Sequence, residues 1–217
     1  MNKFTTSALL WVCLCVCATA SGQVPEKDNQ LWDDIQLTIP MTKKVDFLIT
    51  GTIRTDRELA YDVRWGAGFN YKVNKYLTLS QSFFSAEARP PHGLKQRETR
   101  LTFGATLQKP IGKFTLFNRN WFERRWREPQ IDAWRNRNRV RLERPFTIGK
   151  QKFTWLLSDE FFYDWSLHDW VRNRAAIGAY HTFNKHFTLE LYYMRQNDGR
   201  TRPGDLHIMG AIWRLKV

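Results

Sequence analysis

Cysteine and long apolar runs are nearly missing from this chain of 217 residues. Its three cysteines, Cys13, Cys15 and Cys17, all lie in one short N-terminal apolar stretch. Beyond that stretch the chain has no thiol for a disulfide, a nucleophile or a metal site, which excludes thiol redox chemistry. The mean hydropathy of −0.53 also leaves no room for a bundle of membrane-spanning helices.

Positive charge and aromatic side chains are abundant instead. The formal net charge is +13 and aromatic residues make up 15% of the chain, including ten tryptophans. So many aromatic residues argue against disorder, and the length suits one domain or at most two. A basic chain of this kind favours an anionic partner, either nucleic acid or another anionic surface.

The N-terminus has the pattern of a secretory signal. Lys3 precedes the apolar stretch Ala8 to Val16, and Ala18-Thr19-Ala20 has the small-x-small form of a cleavage site. We therefore expect residues 1–20 to be a removed signal peptide, residues 21–30 a flexible lead-in and residues 31–217 the folded domain. Export removes nucleic acid as a partner and leaves an anionic membrane surface.

The remaining chain alternates between apolar and polar residues with a period of two, which is typical of strands with two unlike faces. The pattern predicts an all-β fold of eleven strands, at residues 31–39, 45–54, 60–70, 76–86, 96–107, 114–125, 132–144, 153–163, 171–181, 187–196 and 206–217. Their length suits a tilted membrane crossing of about 9 to 11 residues better than an ordinary globular strand. We predict a closed antiparallel up-and-down transmembrane β-barrel of ten to twelve strands.

An odd number of such strands cannot close without one parallel pair. We therefore expect either residues 31–39 to stand outside the barrel wall or one further strand to exist.

The connections between strands fall into two alternating chemical classes. Every second connection is rich in lysine, and these turns hold nine of the thirteen lysines: Lys43, Lys44, Lys72, Lys75, Lys109, Lys113, Lys150, Lys152 and Lys185. The others are richer in arginine, aspartate and proline. Alternate connections of a meander emerge on the same side, so the difference indicates two environments, as a membrane provides. We expect outer-membrane lipids as partners, with lipopolysaccharide phosphates contacted by Arg124, Arg125, Arg127, Arg200 and Arg202.

One strand carries a row of charge on a single face. Arg135, Arg137, Arg139, Arg141 and Glu143 follow one another at every second residue. An arginine on the lipid face of a barrel costs about 2 to 4 kcal/mol at the midplane, so this face must point inward. Buried charges need partners, which predicts a lumen network of Glu98, Arg100, Arg119, Glu123, Arg135, Arg137, Arg139, Arg141, Glu143, Glu160, Arg174 and Glu190.

Tryptophans flank two of the longer connections. Trp126 and Trp134 bracket one, and Trp165 and Trp170 bracket another. We predict that these four rings form an aromatic girdle at one membrane interface.

Two alternatives stay open at this stage. A soluble secreted lipocalin-like binding barrel also alternates, but with the apolar face inside. An outer-membrane hydrolase acting on lipid or peptide would need a nucleophile and a base, and Ser166, His168 and Asp169 are the weak candidates. Extended residues two apart place side chains nearly 7 Å apart, too far for the ~3 Å bond of a catalytic pair. We therefore predict neither a catalytic site, a metal site nor a cofactor.

Scattered residues, in a fixed order along the chain, resemble an uncharacterised family of outer-membrane β-barrels, domain of unknown function 2490. The fragments that carry the resemblance are Trp32, Pro40 to Lys44, Arg54, Glu98 with Arg100, Arg119, Glu123-Arg124, Arg137, Arg139, Arg141, Glu160, Asn173-Arg174 and Tyr193-Met194. The resemblance implies an outer-membrane location, insertion by the barrel-assembly machinery and no established activity. Together with the charged row, it predicts a structural or narrow-pore protein with an unknown small solute.

Overall fold

The computed structural model describes residues 27–55, 60–89, 94–201 and 203–217. They form eleven strands: β1 (Lys27–Pro40), β2 (Val45–Thr55), β3 (Ala60–Lys72), β4 (Leu77–Ala88), β5 (Gln96–Ile111), β6 (Phe114–Glu128), β7 (Ala133–Ile148), β8 (Gln151–Asp164), β9 (Asp169–Asn184), β10 (Phe187–Asp198) and β11 (Asp205–Lys216). No helix among these residues is long and apolar enough to span a membrane.

The sheet closes into a barrel in sequence order. Each strand pairs antiparallel with the next, and β1 pairs parallel with β11 from Lys27 opposite Asp205 to Thr38 opposite Lys216. The predicted range of ten to twelve strands is confirmed. The expectation that residues 31–39 stand outside the wall is wrong, and no twelfth strand occurs in the described residues. An odd up-and-down meander leaves its first and last strands running the same way, and here they pair directly.

Strand β1 begins earlier than expected. Lys27 to Gln30, which we assigned to the flexible lead-in, already pair with β11. The predicted signal peptide and residues 21–26 lie outside the described residues.

The strand register fixes the tilt of the barrel. The stagger is found by moving from Pro110 on β5 to its paired residue on β6, and from there strand by strand once around the barrel. This path arrives back on β5 at Gln96, which is 14 residues before Pro110. A stagger of this size over eleven strands corresponds to a tilt of about 40° and a backbone diameter of about 22 Å.

Apolar side chains cover the outside of the barrel. Ile49, Trp65, Phe83, Phe103 and Leu157 alternate with inward neighbours, and each exposes 40% or more of its surface. Most buried side chains among the described residues are instead polar or charged, and the buried apolar cluster is small: Trp32, Met194, Leu206 and Ile208. A soluble barrel needs the opposite arrangement, so the lipocalin-like alternative is wrong.

Aromatic rings gather near both ends of this apolar surface. At the end with the longer loops, Trp134 stacks on Phe122, and Tyr163 contacts Trp165 and Trp170. At the short-turn end, consecutive ring contacts join Phe146, Phe153, His181, Phe183, Phe187 and Trp213. Phe153 and Tyr163 lie ten residues apart on β8, about 25 Å along the barrel axis, which matches the apolar band of a transmembrane barrel.

Candidate functional site: the arginine-rich barrel interior

The charged row of β7 faces the inside of the barrel. Its arginines lie between inward carboxylates of two neighbouring strands, because Glu123 on β6 is opposite Arg135 and Glu160 on β8 is opposite Arg139. The alternation of the sequence thus places acids and bases of three strands in one continuous layer.

Glu123 is one centre of this layer, and its side chain is completely buried. Its carboxylate accepts hydrogen bonds from Arg135 Nε at 2.7 Å, Arg137 Nη1 at 3.0 Å and Arg100 Nη1 at 3.4 Å. One negative charge is therefore shared by three guanidinium groups.

Glu160 is the second centre. It accepts hydrogen bonds from Arg119 Nη2 at 2.7 Å and Arg137 Nη2 at 2.9 Å, and Arg174 Nη1 lies 4.0 Å away. Arg137 joins the two centres, because its guanidinium contacts both carboxylates. Such multiple charge-assisted bonds to a planar fork fix the geometry of the layer.

Further ion pairs extend the layer toward both ends. Toward the loops, Glu98 accepts two bonds from Arg125, at 2.7 and 2.8 Å, and two from Arg100, at 3.0 and 2.6 Å. Toward the short turns, Glu190 pairs with Arg141 at 2.9 Å and with Arg214 at 2.7 Å. Arg141 also pairs with Glu143 at 2.7 Å. The structure thus brings eleven of the twelve predicted network residues into ion pairs.

Arg139 is the exception. Among the described residues no carboxylate lies within ion-pair distance of it, although we expected every arginine of the row to have a glutamate partner. The neighbouring carboxylates are already occupied, since Glu160 serves Arg119 and Arg137, and Glu190 serves Arg141. Arg139 lines the barrel interior with its charge uncompensated by a direct pair.

Aromatic rings inside the barrel support the guanidinium groups, and the sequence analysis missed them. The Trp121 ring has Arg119 at 3.6 Å and Arg137 at 4.9 Å from its centroid, and four arginines surround Phe162 within 5.6 Å. Both rings share the inward face of Glu123 and Glu160, so the alternation could have identified them. Trp121 needs the glycine opposite it: a Cβ at Gly104 would lie 2.2 Å from the ring.

Two adjoining cavities lie in the interior formed by the described residues. An upper cavity of about 720 Å³ is lined by fourteen arginines and seven aspartates or glutamates. A lower cavity of about 660 Å³ is lined by many serine, threonine and asparagine side chains, with four arginines and one glutamate. The two share a set of lining residues near mid-height: Gln36, Thr50, Phe84, Arg119, Trp121, Arg139 and Arg141. The cavities therefore meet at this level, and arginine outnumbers acid in both.

The three weak catalytic candidates are not assembled. The Ser166 hydroxyl donates to Asp164 at 2.5 Å, and Asp169 pairs with Arg200 at 2.5 Å. No hydrogen bond joins Ser166, His168 and Asp169 to one another in the described part of the chain. Nor do three metal-ligating His, Cys, Asp or Glu side chains converge anywhere among the described residues.

The arginines proposed for lipopolysaccharide lie in different places. Arg124 pairs with Asp132 and lies over the rings of Trp126 and Trp134 at the loop end. Arg125 points into the barrel toward Glu98, because it lies on the inward face of β6 with Glu123. Arg127 donates to the Ile131 carbonyl, Arg200 pairs with Asp169, and Arg202 lies outside the described residues.

A closed barrel with an apolar outer surface and a charged interior that contains cavities is the fold of a transmembrane β-barrel. The chain belongs to the family described as protein of unknown function (DUF2490), whose model matches residues 29–206. A similar solved structure is the anion-selective porin from Comamonas acidovorans, with 15% identity and a TM-score of 0.41. The match covers 80% of this chain and 54% of the porin, so this chain spans about half the porin's length. No match is found among the curated proteins.

Proposed function

We propose that this protein is an outer-membrane barrel that forms a narrow pore preferring small anions. The expected signal peptide and the strand-built crossing support an outer-membrane location, reached by export and insertion through the barrel-assembly machinery. The two-residue turns after β5, β7 and β9 then face the periplasm and the longer loops face outside, as in other bacterial barrels.

The observation that carries the proposal is the excess of arginine over carboxylate in the upper cavity. Fourteen guanidinium groups face this cavity against seven acidic side chains. Arginine still outnumbers the acidic side chains when the buried Glu123 is added to them. A charged cleft with low-dielectric walls concentrates counter-ions, so small anions are favoured there and cations are depleted.

The path between the cavities explains why the pore is narrow. Barrels of about eight strands are filled by side chains, whereas those of sixteen or more leave a wide channel, so eleven strands are intermediate. Trp121, Phe84 and the guanidinium groups of Arg119, Arg139 and Arg141 border both cavities. Large solutes are excluded at this level, and a passing anion meets the unpaired Arg139.

The paired charges have a different role from the unpaired ones. The Glu123 and Glu160 centres hold the arginine side chains in fixed positions, because each carboxylate binds several of them. Charges fixed in advance attract an anion without reorganising, whereas free arginine side chains lose entropy when they bind. The network therefore acts as a rigid scaffold for a positive lumen.

The proposal is tested by the reversal potential of the refolded protein in a planar bilayer with a tenfold gradient of KCl. We expect small conductance steps and a reversal potential displaced toward the chloride equilibrium potential. A displacement toward the potassium equilibrium potential would refute the anion preference. The absence of any conductance from protein verified as folded would refute the pore.

A further inference from the structure

The outer surface carries polar side chains at a place where lipid is expected. Away from the strand ends of β6 to β9, six outward-facing residues are amides or acids: Asn118, Asn120, Asn136, Asn138, Asp159 and Asn173. We call these six residues the polar face. The sequence places them on the strand face opposite the charged network, where apolar residues dominate elsewhere on the barrel.

The polar face is organised by its own hydrogen bonds. Asn138 donates to Asn120 at 2.6 Å, Asn120 donates to Asn118 at 2.7 Å, and Asn118 donates to Asn138 at 3.4 Å, which closes a ring. Beside it, Asn173 donates to Asp159 at 2.5 Å. Each amide can still donate a second hydrogen, and the carboxylate has further acceptor capacity.

These residues lie near the middle of the barrel wall. On β8, Asp159 is six residues from Phe153 in one aromatic cluster and four from Tyr163 in the other. Asn138 is in register with Asn120 on β6 and with Phe161 on β8. Because the strands are tilted, the residue at the same height on the next strand lies about 1.3 residues away from the paired residue. Asn120, Asn138 and Asp159 therefore lie within about 3 Å of one another along the barrel axis.

Hydrocarbon cannot satisfy such groups, since lipid tails offer neither donors nor acceptors. Polar residues at this depth face a protein neighbour or water in the proteins that carry them. Apolar side chains occupy comparable heights on β2 to β4, where Ile49, Trp65 and Phe83 face outward. On β1 the outward-facing Asp33 is a single exposed acid, and it accepts a hydrogen bond from Trp213 Nε1 at 2.6 Å. The polar face is therefore better suited to contact with a protein neighbour than to contact with lipid.

We propose that the protein neighbour is a second copy of this chain, related by a two-fold axis along the membrane normal that passes near Asn138. When two copies insert in the same direction, residues that meet in the interface have the same height in the membrane. A two-fold axis also places the strand on one side of the axis in one copy against the strand on the other side of the axis in its partner. With the axis on β7, Asn120 on β6 of one copy faces Asp159 on β8 of its partner. The pairing occurs twice, and amide donors meet carboxylate acceptors both times.

The similar heights of the polar residues on neighbouring strands favour a second copy of this chain over an unrelated protein. Donor-rich Asn120 and acceptor-rich Asp159 lie one strand to either side of Asn138 at nearly the same height, as a self-complementary surface requires. Val140 lies next to the axis, and it exposes 41% of its surface. Two copies can approach closely there because its side chain is small.

The test is disulfide cross-linking in the membrane, using the mature chain, which contains no other cysteine. In Val140→Cys we expect a dimer to form on mild oxidation. The matched control is Ile49→Cys on the far side of the barrel, at a similar height and with 42% exposure, which we expect to stay monomeric. Folding of both variants is verified by the mobility of unheated samples on gels.

A second variant tests the hydrogen bonds themselves. Adding Asn120→Leu to Val140→Cys removes the donor aimed at Asp159, and we expect at least about a fivefold lower yield of dimer at equal protein density. Cross-linking of both cysteine variants to the same extent, or of neither, would overturn the interface. So would a yield unaffected by Asn120→Leu, or a native mass in mild detergent other than that of a dimer.

Discussion

Replacing Glu123 by leucine lowers the free energy of unfolding by about 3 to 5 kcal/mol. The substitution removes one fully buried carboxylate and leaves Arg100, Arg135 and Arg137 facing one another. Arg135 loses its only carboxylate partner among the described residues. Breaking a buried ion pair from one side is costly because the remaining charge stays buried and uncompensated. Denaturant unfolding in detergent or lipid vesicles measures the change.

Arg139→Leu is the matched control for that experiment. Arg139 lies on the same inward face but has no ion pair among the described residues, so its removal strands no carboxylate and relieves repulsion from Arg137 and Arg141. We expect its effect on unfolding to stay within about 1 kcal/mol. An equal loss of stability in both variants would show that the ion-pair assignments are wrong.

Arg139→Glu weakens the preference of the pore for anions. At about 6 Å in water one unit charge contributes about 0.7 kcal/mol to the energy of a passing ion, so reversing the charge changes it by about 1.4 kcal/mol. That energy corresponds to roughly a tenfold lower anion occupancy, with an opposite change for cations. The reversal potential in a tenfold KCl gradient measures this change, and we expect it to move from the value of the unmodified protein toward the potassium equilibrium potential.

Arg89→Glu provides the control for selectivity. Arg89 lies beyond β4 at the loop end, with 72% of its side chain exposed, and it does not line either cavity. Salt screens exposed charges over about 10 Å at 0.1 M, so this variant should leave the reversal potential nearly unchanged. If both variants shift the potential equally, the selectivity arises from total charge and not from the lumen.

Much of the fold could be predicted because period-two alternation is a local property. The eleven strands occur where the alternation predicted them, with ends that differ by up to a few residues. The row from Arg135 to Arg141 faces inward, as expected from the free energy that an arginine costs on the lipid face. The closure could not be predicted in the same way. The parallel pairing of β1 with β11 depends on residues about 180 positions apart, and nothing in the local pattern reveals which strands meet last.

The partners within the interior depend on register, which the sequence leaves open. Alternation predicted that Glu123 and Glu160 share a face with the arginines, but not that Arg137 joins them while Arg139 has neither. The polar face was visible as Asn136 and Asn138 opposite the charged row. Its extent over neighbouring strands could not be predicted, because it depends on the strand register, which places Asn120 and Asp159 beside these two residues.

The most direct test of the account compares two adjacent residues on β2 by thiol labelling of the membrane-embedded protein. Thr50 lines both cavities, whereas Ile49 lies on the outer surface with 42% exposure. With a small, charged, membrane-impermeant thiol reagent, the account predicts that Thr50→Cys is modified from water and that Ile49→Cys is protected by lipid. Modification of Ile49→Cys with protection of Thr50→Cys would contradict it, because the apolar face would then point away from lipid.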